Sequence, residues 1–266
     1  MAASASKLFV LKTLLSVLSC VMAAALAYGF IMDYFSTCFD PRARWMQVGL
    51  VDFLINVSPI MAWYFYKESR WIMRVMFMFI LFWFGSVTIC GYILLQFFKL
   101  SPEQTLKDPF FFALARPQNR DDDVMGASNR RGGFSVVTTR IIYASLGCLM
   151  LAFPVFAWIT DGSPFRAQVL SPCMVTLLTD LCIQAVVYSV WIGYKESSWI
   201  NTLFWILCIV CFGSIGLCGY IVRELFYLTP DQPVYLILFN TSNRDVMLSD
   251  PLLLKNHHLH HHHGNI

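Results

Sequence analysis

Two acidic residues occupy equivalent places in two apolar segments, and each begins a stripe of polar and aromatic side chains. Successive members are three, four or seven residues apart, which brings each stripe onto one face of a helix. The stripes consist of Asp52, Asn56, Trp63 and Tyr66 in the first segment, and Asp180, Gln184, Trp191 and Tyr194 in the second. These eight residues form the candidate site.

A carboxyl group inside an apolar helix indicates chemistry, because a charged residue at a helix centre costs about 2.5–3.5 kcal/mol on membrane-insertion scales. Asp52 and Asp180 are therefore expected to face the bundle interior, where burial favours the protonated acid. A protonated acid suits general-acid catalysis, with the amides and aromatic rings binding the substrate, or proton-coupled transport. Both residues lie early in their helices, so the alternatives are a place at headgroup depth or a role in capping a neighbouring helix.

The composition predicts that these helices lie in a membrane. Hydrophobic residues make up 58% of the chain and charged residues 13%, whereas about a quarter of a soluble domain is charged. This excludes an ordinary soluble protein, a disordered chain and a nucleic-acid-binding protein. Six apolar segments each have about the 20 residues needed to cross the hydrocarbon core. They cover approximately residues 8–32, 46–66, 71–98, 141–159, 169–194 and 199–228.

The chain contains two copies of one three-segment unit. After a shift of 128 residues, segments 67–104 and 195–232 are identical at 16 of 38 positions without a gap. The same shift pairs Asp52 with Asp180. We therefore divide the chain into a first repeat (8–104), a polar connector (105–137), a second repeat (138–232) and a C-terminal tail with a histidine-rich end (233–266).

Three spans in each unit determine the predicted arrangement. If the solvated connector does not cross the membrane, the second unit is upside down, giving an all-α transmembrane six-helix bundle of two inverted repeats. Asp52 and Asp180 would then differ in depth by roughly 15 Å, and Cys38 and Cys173 would lie unpaired at opposite faces. Nine lysines and arginines would then lie at one face of the membrane and ten at the other. The positive-inside rule then gives only a slight preference for a cytosolic connector.

The sequence indicates neither a metal nor a cofactor. All six histidines follow residue 256, so none is available within the membrane for a proton relay, a catalytic triad or a metal site. The expected partners are membrane lipid and a lipophilic small molecule, and not nucleic acid. The sequence leaves open the oligomeric state and the choice between the endoplasmic reticulum and the plasma membrane.

Both units have an early acid in the second segment, an aromatic-rich end with an acidic turn, a tryptophan opening the third segment and a polar residue near its close. These are Asp52, Trp63 to Glu68, Trp71 and Gln96, and Asp180, Trp191 to Glu196, Trp199 and Glu224. In these features each unit resembles short bacterial three-helix membrane proteins grouped as terpene-cyclase-like. The whole chain resembles a plant family of duplicated, uncharacterised membrane proteins.

The resemblance implies acid-initiated cyclisation or isomerisation of an isoprenoid-like substrate. Asp52 or Asp180 would be the general acid, and aromatic faces would stabilise the cation. The alternatives are a small proton-coupled transporter or channel with inverted repeats, and a non-catalytic membrane scaffold. No motif is specific enough to establish an enzyme.

Overall fold

The computed structural model describes residues 2–32, 38, 43–101, 104–105, 108–115, 135–163 and 171–249, and within these ranges the chain forms helices and no strand. A short 3₁₀ helix covers Val234–Leu238. The α-helices, numbered in chain order, are α1 Ala2–Ile31, α2 Arg44–Lys67, α3 Trp71–Phe84, α4 Ser86–Phe98, α5 Pro109–Leu114, α6 Val136–Asp161, α7 Pro172–Lys195, α8 Trp199–Phe212, α9 Ser214–Phe226 and α10 Thr241–Ser249.

Four of these helices are long and apolar enough to cross a membrane: α1, α2, α6 and α7. They correspond to the first and second segments predicted in each repeat, and they indicate a membrane protein. The third predicted segment of each repeat is interrupted. A single glycine with positive φ, Gly85 (51°) or Gly213 (57°), separates two helices of 13 or 14 residues. Glycine adopts this backbone conformation without the steric cost that a side chain would add.

In the first repeat, α3 and α4 form an antiparallel hairpin. The Thr88 hydroxyl donates a hydrogen bond to the Ile80 carbonyl at 3.2 Å, and the rings of Phe77 and Tyr92 lie 5.5 Å apart. A continuous helix would separate residues 77 and 92 by about 22 Å. The chain therefore reverses at Gly85, and α4 returns to the end from which α3 began.

The second repeat contains the same hairpin, formed by α8 and α9. The rings of Trp205 and Tyr220 are 5.3 Å apart, and the Arg223 guanidinium lies 5.7 Å from the Trp205 ring. A Cβ added to Gly216 would lie 2.5 Å from the Cys208 carbonyl oxygen. This close approach of the two backbones requires glycine at position 216.

The second helices of the two repeats, α2 and α7, run in the same direction. Near their starts, Cys38 and Cys173 form a disulfide with their Cα atoms 5.4 Å apart, and the Trp45 indole donates to the Gly162 carbonyl at 3.1 Å. We call this the disulfide end. Near the opposite ends of α2 and α7, Tyr66 stacks on Tyr235, and the Trp191 indole donates to the carbonyl of Leu238. We call this the connector end.

These contacts contradict the predicted inverted bundle of six spanning helices. Because each third segment doubles back, a repeat has two long helices and one hairpin, and the next repeat starts from the same end as the first. The prediction that Cys38 and Cys173 stay apart is wrong for the same reason. The apolar length of residues 71–98 suits one crossing, but Gly85 divides it into two limbs.

The two repeats pack around a pseudo-twofold axis. Helix α1 lies against α4 of its own hairpin and against α7 of the other repeat, while α6 lies in the same way against α9 and α2. Part of the predicted solvated connector is ordered at the connector end. There Asp108 caps α5 by accepting from the Phe111 N–H at 3.1 Å, and Ala113 is buried.

Candidate functional site

Asp52 caps the second limb of the other repeat's hairpin. Its Oδ1 accepts from the Ser214 N–H at 3.0 Å and from the Ser214 hydroxyl. Its Oδ2 accepts from the Asn56 amide at 3.1 Å. Ser214 is the first residue of α9 and is fully buried. The carboxyl group therefore meets backbone donors that the helix cannot itself satisfy.

Asp180 makes the equivalent contacts across the pseudo-twofold axis. Its Oδ1 accepts from the Ser86 N–H at 2.6 Å, and its Oδ2 accepts from the Gln184 amide at 2.5 Å. The Ser86 hydroxyl donates to the Asp180 backbone carbonyl at 3.3 Å. Ser86 begins α4 and is also fully buried. Each repeat thus supplies the cap for the hairpin of the other.

The two caps match the electrostatics of helix ends. The first N–H groups of a helix have no partner within it, and the helix dipole favours a negative charge beside them. The described partners that contact the carboxyl oxygens of Asp52 and Asp180 are N–H or O–H donors. In each of these contacts the carboxyl oxygen is the acceptor, as a helix cap requires, whereas a general acid would have to donate.

The four aromatic residues of the stripes lie at the connector end. The indole N–H of Trp63 donates to the Leu114 carbonyl at 3.2 Å, and that of Trp191 donates to the Leu238 carbonyl at 3.2 Å. The Tyr194 hydroxyl donates to Asp108 at 3.2 Å, and Tyr66 stacks on Tyr235. These contacts fasten α5 and the 3₁₀ helix to the bundle.

An apolar cavity of about 110 Å³ lies between α1, α2, α4, α5 and α7. Both stripe tryptophans, Trp63 and Trp191, line it, whereas the other six predicted site residues do not. Residues of its wall include Leu15, Leu18, Pro59, Ile93, Gln96 and Ala113. The tryptophans and the capping acids therefore belong to two separate places in the bundle.

A buried ion cluster occupies the connector end of the second repeat. Lys195 Nζ lies 2.6 Å from Glu224 Oε2, and both side chains are almost fully buried. Arg244 lies 3.5 Å from the same Glu224 oxygen, and Arg223 pairs with Glu196 at 2.7 Å. The ammonium group of Lys195 also lies 5.1 Å from the ring of Trp191.

The first repeat keeps the lysine of this cluster but not the acid. Lys67 lies 5.7 Å from the Trp63 ring, as Lys195 lies over Trp191, and it hydrogen-bonds to the Ala113 carbonyl. Gln96 stands where the second repeat has Glu224. Sequence reasoning did not include this lysine–glutamine pair in the site. The alignment of the repeats carries the signal, because the lysine is identical in both while its partner changes from acid to amide.

The described part of the chain contains no group of three histidine, cysteine, aspartate or glutamate residues that could hold a metal ion. The histidine-rich end lies outside the described residues. The site is therefore made of two acid-capped hairpin tips, an apolar cavity and an asymmetric pair of lysines.

These features define an all-helical membrane protein built from two tandem repeats. The chain belongs to a family described as "Protein of unknown function (DUF1475)", whose model matches residues 2–121 and again residues 121–245. The two matches confirm the predicted duplication, and they meet within the predicted connector. No match was found among the curated proteins or the solved structures.

Proposed function

We propose that the chain is an integral membrane protein that binds a lipophilic molecule in the cavity between its two repeats. The cavity carries this proposal, because its wall is almost entirely aliphatic and aromatic and includes both stripe tryptophans. Ligand sites are typically apolar clefts with a few polar groups that fix orientation. Gln96 is one polar residue in this wall.

The size of the cavity limits what it can hold. Its volume is about 110 Å³, whereas sites for whole small molecules measure about 300–1,000 Å³. An engineered cavity of about 150 Å³ holds a benzene molecule. The cavity thus suits one end of a chain, such as an acyl segment or a single isoprene unit, with the remainder in the surrounding lipid.

The cavity supports binding more directly than the predicted cyclisation or isomerisation. A general acid must reach the substrate with a proton to give, whereas Asp52 and Asp180 lie outside the cavity wall and accept hydrogen bonds. Acid-initiated chemistry on an isoprenoid stays a prediction, because neither Asp52 nor Asp180 is among the residues that line the cavity. The transporter alternative has a related difficulty. In transporters the N-termini of half-helices can bind an anionic substrate. Here the N-termini of α4 and α9 already bind the carboxyl groups of Asp180 and Asp52.

We also propose that the hairpins are re-entrant, entering the membrane and leaving by the same face. A limb of 14 residues is about 21 Å long, which is too short to cross a core of about 30 Å. The outer limbs α3 and α8 expose large apolar side chains, including Trp71, Phe79, Trp199 and Val210, as lipid contact requires. The irregular backbone at Ser86 and Ser214 is buried in protein, the condition under which a membrane tolerates it.

This arrangement gives the protein a definite orientation. Among the residues that the structure describes, Arg44 is the one lysine or arginine at the disulfide end, whereas ten lie at the connector end. The positive-inside rule then assigns the connector end to the cytosol. The disulfide agrees, because disulfides form and persist in oxidising compartments and are rare in the cytosol.

Glycosylation mapping tests the orientation. In microsomes, a Gly/Ser-flanked Asn-Gly-Thr tag inserted within residues 164–170 is expected to be glycosylated, because α6 ends at Asp161 and α7 begins at Pro172, both at the disulfide end. The same tag within residues 118–130, and the natural sequon at Asn240, are expected to stay unmodified. A gel shift that disappears after endoglycosidase treatment is the measurement. Glycosylation within residues 118–130 would contradict the proposed orientation.

Filling the cavity tests lipophile binding. Leu18→Trp puts a large ring into the wall, so labelling by a photoactivatable geranylgeraniol analogue is expected to fall by about tenfold, since the added ring displaces the bound chain. The labelled peptides of the unmodified protein should come from α1 and α4. Leu146→Trp is the matched control, because residue 146 is the counterpart of Leu18 in the other repeat. Equal labelling of both variants and the unmodified protein would refute the proposal.

A further inference from the structure

We propose that the lipophilic ligand carries a carboxylate, as a fatty acid does, and that this carboxylate pairs with Lys67 beside Gln96. This inference rests on the proposed function and adds the chemical class of the ligand. The chain of the molecule would enter the apolar cavity, while its head group would lie at the connector end, where Lys67 contacts the cavity wall.

The charge of Lys67 is the first observation. Its ammonium group contacts Ala113 and Trp63, which both line the cavity. In the ranges that the structure describes, no carboxylate lies within ion-pair distance of it. A half-buried ammonium group without a counter-ion is costly. An anionic ligand would supply the missing charge.

Gln96 is the second observation. Its side chain is only 8% exposed, it lines the cavity, and it makes no hydrogen bond with any other described residue. Among the described residues nothing occupies this amide, so it is available to a ligand. Because the amide has two N–H donors, a carboxylate next to Lys67 would satisfy it as well.

The second repeat shows the same position with a carboxylate in place. Lys195 corresponds to Lys67, and its ammonium group lies 2.6 Å from Glu224, the counterpart of Gln96. Both lysines lie over the equivalent tryptophan. The second repeat therefore supplies from its own chain the anion that Lys67 does not find among the described residues.

The side chains that surround the two lysines also differ between the repeats. In the first repeat Leu15 and Leu18 of α1 line the open cavity. In the second repeat the counterpart of Leu15 is Tyr143, which is buried and accepts a hydrogen bond from Ser58 at 3.3 Å. The larger side chain takes up room that the first repeat leaves free. Tyr143 thus lies beside the repeat that has an internal carboxylate, whereas the described cavity lies beside Lys67 and Gln96.

Binding of cis-parinaric acid to the full chain in phosphatidylcholine nanodiscs tests the inference. This fluorescent fatty acid accepts energy from tryptophan, and parinaryl alcohol is the uncharged comparison. The acid is expected to bind about tenfold more tightly than the alcohol, the size of effect that one charge-assisted hydrogen bond provides. Gln96→Glu supplies an internal carboxylate, as in the second repeat, so binding of the acid should fall by about tenfold while binding of the alcohol persists.

Two further variants keep the result interpretable. Lys67→Gln should reduce the affinity for the acid to that for the alcohol. Gln232→Glu adds the same negative charge at an exposed turn of the connector end and should change neither affinity, since a glutamate oxygen can still accept from the Thr229 N–H.

The outcomes separate this inference from the proposed function. Equal affinity for acid and alcohol, or acid binding that survives Gln96→Glu, would overturn the carboxylate assignment while leaving lipophile binding intact. Equal binding of dodecyl phosphate and of the acid, with the same loss in Gln96→Glu, would overturn it in favour of a general anion site. Failure of both parinaryl probes to bind the unmodified protein would overturn both proposals.

Discussion

Glu224→Gln is expected to lower the free energy of unfolding by about 3–5 kcal/mol, because it removes one partner of a buried ion pair. Lys195 would lose its carboxylate partner in a position that is almost fully buried, and Arg244 would lose its contact with the same acid. The thermal midpoint in detergent, followed by intrinsic fluorescence, should fall by about 10 °C or more.

A double variant identifies the cause of this loss. Lys195→Met with Glu224→Leu removes both charges and should recover most of the stability, since an apolar pair can replace a buried ion pair at little cost. Gln96→Glu in the first repeat should raise the midpoint, because it gives Lys67 a partner. A Glu224→Gln protein with the same thermal midpoint as the unmodified chain would show that the ion pair contributes nothing to stability.

Asp180→Ala is expected to cost about 3 kcal/mol, because it leaves two buried donors without acceptors: the Ser86 N–H and the Gln184 amide. Asp52→Ala should have a similar effect through Ser214 and Asn56. Thermal midpoints of the single variants should each fall by about 6–12 °C. Asp231→Ala, at an exposed position, is the control and should leave the midpoint unchanged.

The asparagine variants separate a capping role from a catalytic one. Asp180→Asn keeps an oxygen for the Ser86 N–H, and its new amide N–H₂ can donate to the unpaired Gln184 oxygen once that amide turns over. The main loss is then the charge at the helix end, so its cost should be about 1 kcal/mol. If the acid is a cap, this variant still binds parinaryl alcohol and leaves the cell's lipid profile unchanged. A lipid product that disappears in Asp180→Asn, with the thermal midpoint nearly intact, would establish the predicted general acid.

The sequence predicted the long helices and the duplication because both depend on local composition and direct alignment. The stripe that begins at Asp52 was also recognisable, since helical spacing brings its members onto one face. The partners of Asp52 were not recognisable. Its contact at Ser214 lies 162 residues along the chain, and only the fold brings the two together.

The reversal at Gly85 was the main feature that hydropathy could not provide. Residues 71–98 are apolar throughout, and such a run fits one crossing or two limbs equally well. The small residues of Gly85-Ser86 and Gly213-Ser214 are equally typical of close helix packing, whereas in the structure each glycine is the turning point of a hairpin. From that one difference follow the parallel repeats, the Cys38–Cys173 disulfide and the uneven division of positive charge.

The exchanged caps have a consequence for how the duplication arose. A single repeat cannot complete its own hairpin, because the acid that caps it belongs to the other repeat. A one-repeat ancestor would therefore have folded as a homodimer with twofold symmetry. Since the two halves now run in the same direction, both ancestral chains would have entered the membrane the same way round. After gene fusion the two halves could diverge, so that Glu224 now pairs with Lys195 in one half while Gln96 stands at the equivalent position in the other.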